Sequence, residues 1–216
     1  DAVVFANSDD DVVDAGAGND FVTSGSGAGS VPGGDGDDMV FGSSGQDTLD
    51  GGAGNDTVGG GTSRDLITGG AGDDELHGDG GFDTLFGDDG FDRLLGDNGD
   101  DQLFGEAGRD LLQGDDGQDN LFGGADADEL IGGADKDNLF GGDGRDILDG
   151  GPDADRLSGE EDADTFRFSQ LDSTIDEVLD FDEASGDRLD LRAIIPAYQE
   201  GDDLDGFVRF QPAQGA

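Results

Sequence analysis

The chain has 216 residues, 44 of them Gly, and sets 55 Asp and Glu against 10 Lys and Arg for a formal net charge of -45. A polyanion of this strength is repelled by nucleic-acid phosphates and anionic membrane surfaces, so neither is expected as a partner, and cations are. The absence of Cys removes disulfides, thiolate metal sites and Cys nucleophiles; no apolar run approaches the about 18 residues of a membrane span, and residues 1–30 lack the basic and apolar regions of a secretory signal.

Residues 1–5 read as the end of a repeat that becomes regular at Ala6. From there to Arg167 the chain divides into 18 rows of nine with no insertion or deletion, as in GGAGNDTVG (51–59), GGAGDDELH (69–77) and GDNGDDQLF (96–104). The consensus is Gly-Gly-x-Gly-x-Asp-x-U-x, with U aliphatic. Column one is Gly in 15 rows, failing at Ala6, Ala15 and Ser24, and column eight is apolar in all 18. Column six is Asp in 17 rows: Asp11, Asp20, Asp38, Asp47, Asp56, Asp65, Asp74, Asp83, Asp92, Asp101, Asp110, Asp119, Asp128, Asp137, Asp146, Asp155 and Asp164. Composition alone suggests disorder, but a solvated acidic tail has no reason to hold one Asp in phase with one aliphatic residue every nine positions.

Each row supplies a Gly-rich loop and then a short strand over columns seven to nine, with the column-eight side chain pointing inward. A strand of three residues is stable only when copies stack, as in solenoids. Two rows, one out and one back, make an 18-residue turn. The fold expected is therefore all-β: a right-handed parallel β-roll of about nine turns over residues 1–167, closed by a C-terminal cap over residues 168–216. Row three, SGSGAGSVP (24–32), has Gly29 in place of Asp and ends in Pro32, so the roll is expected to loosen or kink there.

Residues 18 apart become neighbours, so column six forms two stacks of carboxylates, one along each edge. Two carboxylates about 5 Å apart repel by roughly 3 kcal/mol at an effective dielectric near 20, and the core of one aliphatic side chain per nine residues is thin. A divalent cation between neighbouring Asp residues reverses the sign. Carboxylates and loop carbonyls make an all-oxygen site suited to Ca²⁺ rather than Mg²⁺, zinc or copper. Eight adjacent Asp pairs on one edge and six on the other give about fourteen complete sites, and the two contacts touching Gly29 are expected to be weaker or empty.

In column nine, Phe86, Phe104, Phe122 and Phe140 recur every 18 residues and are expected to stack on one outer face, as a structural aromatic ladder or a contact site for a partner. His77, also in column nine and without a second His, reads as a surface residue. The chain carries no H-E-x-x-H, G-x-S-x-G, P-loop or G-x-G-x-x-G motif. Neither a catalytic residue nor an organic cofactor stands out from the repeat, and the chain is expected not to be an enzyme.

The rows resemble the RTX, or haemolysin-type, calcium-binding nonapeptide over residues 6–167. The resemblance implies a parallel β-roll with Ca²⁺ in its turns and export through a bacterial type I secretion machinery to the cell surface or the extracellular space, with folding on arrival in calcium. After Arg167 the register stops. DTFRF (164–168), VLDFDEASGDRLDLRAIIP (178–196) and LDGFVRF (204–210) resemble the C-terminal target domain of type I secreted proteins, bacterial surface adhesins prominent among them. A monomeric calcium-dependent folding and export module of an adhesin is the function so implied. The alternative is the non-catalytic domain of a secreted protease or lipase whose active site lies upstream.

Overall fold

A computed structural model describes residues 1–170, 174–193 and 208–210. It is a parallel β-solenoid of two facing sheets, one of 12 strands and one of 11, between which the chain alternates. Pairing is parallel and in an 18-residue register: Leu85 lies beside Leu103 and then Leu121 in one sheet, Leu94 beside Leu112 and then Leu130 in the other. About ten coils stack in this way. The count exceeds the nine contained in the rows because Val3–Phe5 pairs with Phe21–Thr23 ahead of the first full coil, and three strands, Asp176–Val178, Arg188–Asp190 and Val208–Phe210, pair beyond the last row.

The core is the column-eight ladder. Every member from Val22 to Phe166 has no exposed surface, and Val13 is partly buried at the N-terminal end. The strands are longer than the three residues expected. Thr57–Thr62 and Leu66–Ala71 are typical: each runs through columns seven to nine and on into columns one to three of the next row. Inward residues are therefore columns eight and one, while columns seven, nine and two face outward.

Left-handed backbone falls in columns two and four, as at Gly52 (φ +108°) and Gly54 (φ +133°), and Asp takes it at Asp88 and Asp126 (φ +71° and +77°). Column one is not left-handed, so its Gly answers a different demand. A Cβ on Gly69 would lie 2.5 Å from Asp74 Oδ2 and 2.9 Å from the Gly87 carbonyl oxygen. Column one is Gly because the chain passes against a carboxylate and the next coil.

Row three keeps its strand. Ser30–Asp35 pairs along Thr48–Ala53, with Pro32 beside Asp50 and Val31 fully buried. Towards the preceding coil the pairing thins to Gly16–Ala17 and a single bridge from Val12 to Ser30. The expected loosening is confined to that side, where Pro32 has no N–H to donate.

Beyond Arg167 the step lengthens. Val178 pairs with Leu157 and Leu189 with Phe166, so both sheets gain a strand after insertions of a few residues. Val208–Phe210 then pairs with Asp176–Val178. Val178 is fully buried, and Phe181, Leu189 and Leu191 pack on the core, with the Phe181 ring 6.1 Å from that of Phe166. Of the segments quoted beyond Arg167, residues 194–196 and 204–207 lie outside the described residues.

The phenyl rings of Phe86, Phe104, Phe122 and Phe140 form a continuous stack, with centroids 4.8, 4.9 and 5.1 Å apart and planes within 10° of parallel. A second group, Phe5, Phe21 and Phe41, lies near the N-terminal end with tilted rings 5.8 Å apart. His77 is more enclosed than a free surface residue. Its ring is 31% exposed and lies between Glu75 and Asp97, with Nδ1 3.4 Å from the Asp97 carboxylate.

Candidate metal centres along the two edges

The loop of columns four to six brings each column-six Asp back under the roll at the sheet edge. From Asp20 to Asp164 these residues are no more than 4% exposed. Their backbones and carboxylates interlock along the stack: Asp56 N–H donates to Asp74 Oδ1 at 2.7 Å and Asp74 N–H to Asp92 Oδ1 at 2.8 Å. On the other edge Asp65 N–H donates to Asp83 Oδ1 and Asp83 N–H to Asp101 Oδ1, both at 2.7 Å. One oxygen of each carboxylate is thus used to clamp the coil before it.

The other oxygen is not. Oδ2 is buried without a hydrogen-bond partner in Asp20, Asp38, Asp56, Asp74, Asp92, Asp110, Asp128 and Asp146 on one edge, and in Asp47, Asp65, Asp83, Asp101, Asp119 and Asp137 on the other. A single buried carboxylate oxygen without a partner is costly; here the deficit recurs with the period of the repeat. Facing it is a second acceptor. The column-one Cβ position at Gly51 is 2.5 Å from Asp56 Oδ2 and 2.7 Å from the carbonyl oxygen of Gly69, one coil on, and the same pair recurs at Gly87 with Asp92 Oδ2 and Gly105.

Acceptor facing acceptor, one anionic, is a cradle for a cation rather than for a donor side chain. The donors are hard oxygens, carboxylate and carbonyl, which fits Ca²⁺. Among the described residues no point gathers three or more His, Cys, Asp or Glu side chains, the pattern that zinc or copper would require.

The electrostatics agree. Burial first, opposed by the backbone N–H of the preceding coil and reinforced by neighbouring carboxylates, pushes Asp83 and Asp92 up to about 7 and Asp128 and Asp137 up to about 8. Burial likewise raises Asp119 to about 7 and Asp56, Asp65 and Asp101 to about 6. Without a counter-charge the groups raised to about 7 or 8 hold protons near neutrality.

The column-six Asp residues at the two ends of the rows have different neighbours. Asp11 is only half-buried, and its Oδ2 accepts the N–H of Asn7 in its own loop at 3.0 Å. Asp155 and Asp164, at the end of the rows, accept from Asp137 and Asp146 at 3.0 Å, as their predecessors do. The clamp then continues past the last row, which the nine-residue register does not foresee. Asp155 N–H donates to Asp176 Oδ1 and Asp164 N–H to Asp187 Oδ1, both at 3.1 Å. The signal was present as Asp-x-Val (176–178) and Asp-x-Leu (187–189), which keep the spacing of columns six and eight after the Gly columns are gone. Asp187 Oδ2 accepts a backbone N–H, from Asp182 at 2.8 Å, as Asp11 Oδ2 does from Asn7.

No curated protein matches the chain. A family model does, that of the RTX calcium-binding nonapeptide repeat (4 copies), over residues 1–31, 32–66, 60–85, 77–112, 95–130, 104–139, 113–148 and 131–166. These matches follow one another through three quarters of the sequence and end where the nine-residue register ends. The chain belongs to the RTX calcium-binding nonapeptide repeat family, and its solenoid is a calcium-binding module.

Proposed function

We propose that the solenoid is a calcium-dependent folding module of a type I secreted bacterial protein, with the column-six Asp residues from Asp20 to Asp164 as its ligands and about fourteen Ca²⁺ bound. The observation that carries this reading is the periodic set of buried, unpartnered Oδ2 atoms, which from Asp38 to Asp146 sit against a carbonyl of the next coil. A cation that binds only the wound chain adds folding free energy by linkage, about 2.7 kcal/mol per site at a hundredfold excess over its Kd. Residues 168–216 serve as the C-terminal cap and the secretion-associated segment. Its resemblance to adhesin target domains favours a surface adhesin, calcium-poor and unwound inside the cell and wound outside it. The module itself is non-catalytic and acts as a monomer.

Equilibrium dialysis against calcium followed by metal analysis of the washed protein tests the ligand assignment. About fourteen ions per chain are expected, with magnesium displacing few of them. A chain that retains only a few ions, or exchanges them freely for magnesium, would contradict it.

A further inference from the structure

Row three departs from the repeat twice, and the two departures meet in space. Ser24 stands in column one and Gly29 in column six. Ser24 is 1% exposed. A Cβ on Gly29 would fall 2.4 Å from Ser24 Cβ and 3.0 Å from its Oγ, so the serine side chain occupies the space where other rows place the Asp carboxylate. From there the hydroxyl donates to the carbonyl oxygen of Gly42, the column-one residue of the next coil, with Asp47 Oδ1 3.2 Å away. The backbone clamp persists, since Gly29 N–H donates to Asp47 Oδ1 at 2.6 Å.

Elsewhere the same carbonyl faces a carboxylate oxygen, and two acceptors need a cation between them. Here it faces a hydroxyl, which brings its own proton. We propose that Ser24 and Gly29 form a calcium-independent rung, in which the hydroxyl bond to Gly42 replaces the metal, so that in the wound chain the contact between residues 24–32 and residues 42–50 needs no ion. The pair is one substitution in two parts: Gly at column six makes room, and Ser at column one fills it and satisfies the carbonyl. This rung deepens the proposed function and rests on its calcium sites.

The test is a mutant cycle measured by calcium content and thermal unfolding in calcium. Ser24→Gly/Gly29→Asp restores the consensus and is expected to bind at least one more ion per chain than the wild type. Gly29→Asp alone drives a carboxylate into Ser24 and is expected to gain no ion and to unfold at a lower temperature than the double variant. The reverse graft, Gly60→Ser/Asp65→Gly in row seven, is expected to lose calcium yet to unfold at a higher temperature than Asp65→Gly alone, since the new hydroxyl can reach the Gly78 carbonyl. At Gly60 the Cβ position lies 3.0 Å from that oxygen and 2.6 Å from the carboxylate being removed. An unchanged calcium content in the restored variant, or a graft no more stable than Asp65→Gly, overturns the rung while leaving the other sites standing. A wild type that binds no calcium overturns both.

Discussion

Replacing Asp92 and Asp110 together by Ala is expected to weaken calcium binding by more than about tenfold and to remove at least two bound ions, whereas replacing Asp89 and Asp116 leaves both quantities near wild type. All four are aspartates of neighbouring coils, and the first two are 2% exposed in column six while the others are exposed in column three. Each Ala removes an Oδ2 that has no protein partner and an Oδ1 that accepts a backbone N–H, from Asp74 onto Asp92 and from Asp92 onto Asp110, both at 2.8 Å. The lost ions and the stranded buried N–H groups act in the same direction, the latter at about 1–3 kcal/mol each. Isothermal titration with calcium measures the difference. Equal losses in the two double variants would mean that the charge of the surface, not the buried column, holds the metal.

Acid is expected to substitute for calcium. Burial raises the folded-state carboxylates from the ordinary 3.8 to about 6 at Asp110 and Asp146, about 7 at Asp83, Asp92, Asp119 and Asp164, and about 8 at Asp128 and Asp137. Since the wound chain holds more protons than the unwound one between these values, the stability of the metal-free roll falls as pH rises through this window. In chelator the roll is therefore most stable below about pH 4 and is lost progressively between about pH 4 and 8. Calcium has to displace the same protons, so its affinity should fall by more than about tenfold from pH 7.5 to pH 5.5. Far-ultraviolet circular dichroism of the metal-free protein against pH follows the first effect and calcium titrations at the two pH values the second. A metal-free chain that gains structure with rising pH would reverse the sign and exclude buried, raised carboxylates.

The strict period made the architecture legible. A single aliphatic column every nine residues predicts the ladder from Val22 to Phe166, and the 18-residue return predicts both the Asp stacks and the phenyl stack. What escaped were properties that a period does not encode. Gly in columns one and two looks alike in sequence, yet column two is left-handed and column one is needed for clearance over an Asp carboxylate. Strands of six rather than three residues follow from column one turning inward, which a residue without a side chain cannot announce. Asp176 and Asp187 were hidden by insertions that break the register while the pairing of the sheets continues. The enclosure of His77 depends on Asp97, which is distant in sequence and comes near only when the next coil is laid down.

Row three shows the same limit from the other side. Two departures five residues apart look like independent decay of the consensus, and only their positions across the roll reveal that one fills the space the other vacates. Pro32 is tolerated because it sits where pairing to the preceding coil is already sparse, while the Ser30–Asp35 strand keeps its full register with Thr48–Ala53.

The most direct measurement is backbone hydrogen exchange at pH 7.5 in chelator and in millimolar calcium, read together with the hydrodynamic radius. A roll whose carboxylate edges are closed by metal should exchange freely and be expanded in chelator, then become compact in calcium with protection spreading over the column-eight strands, and equal magnesium should not reproduce the change. Strands as protected and a chain as compact in chelator as in calcium would contradict it.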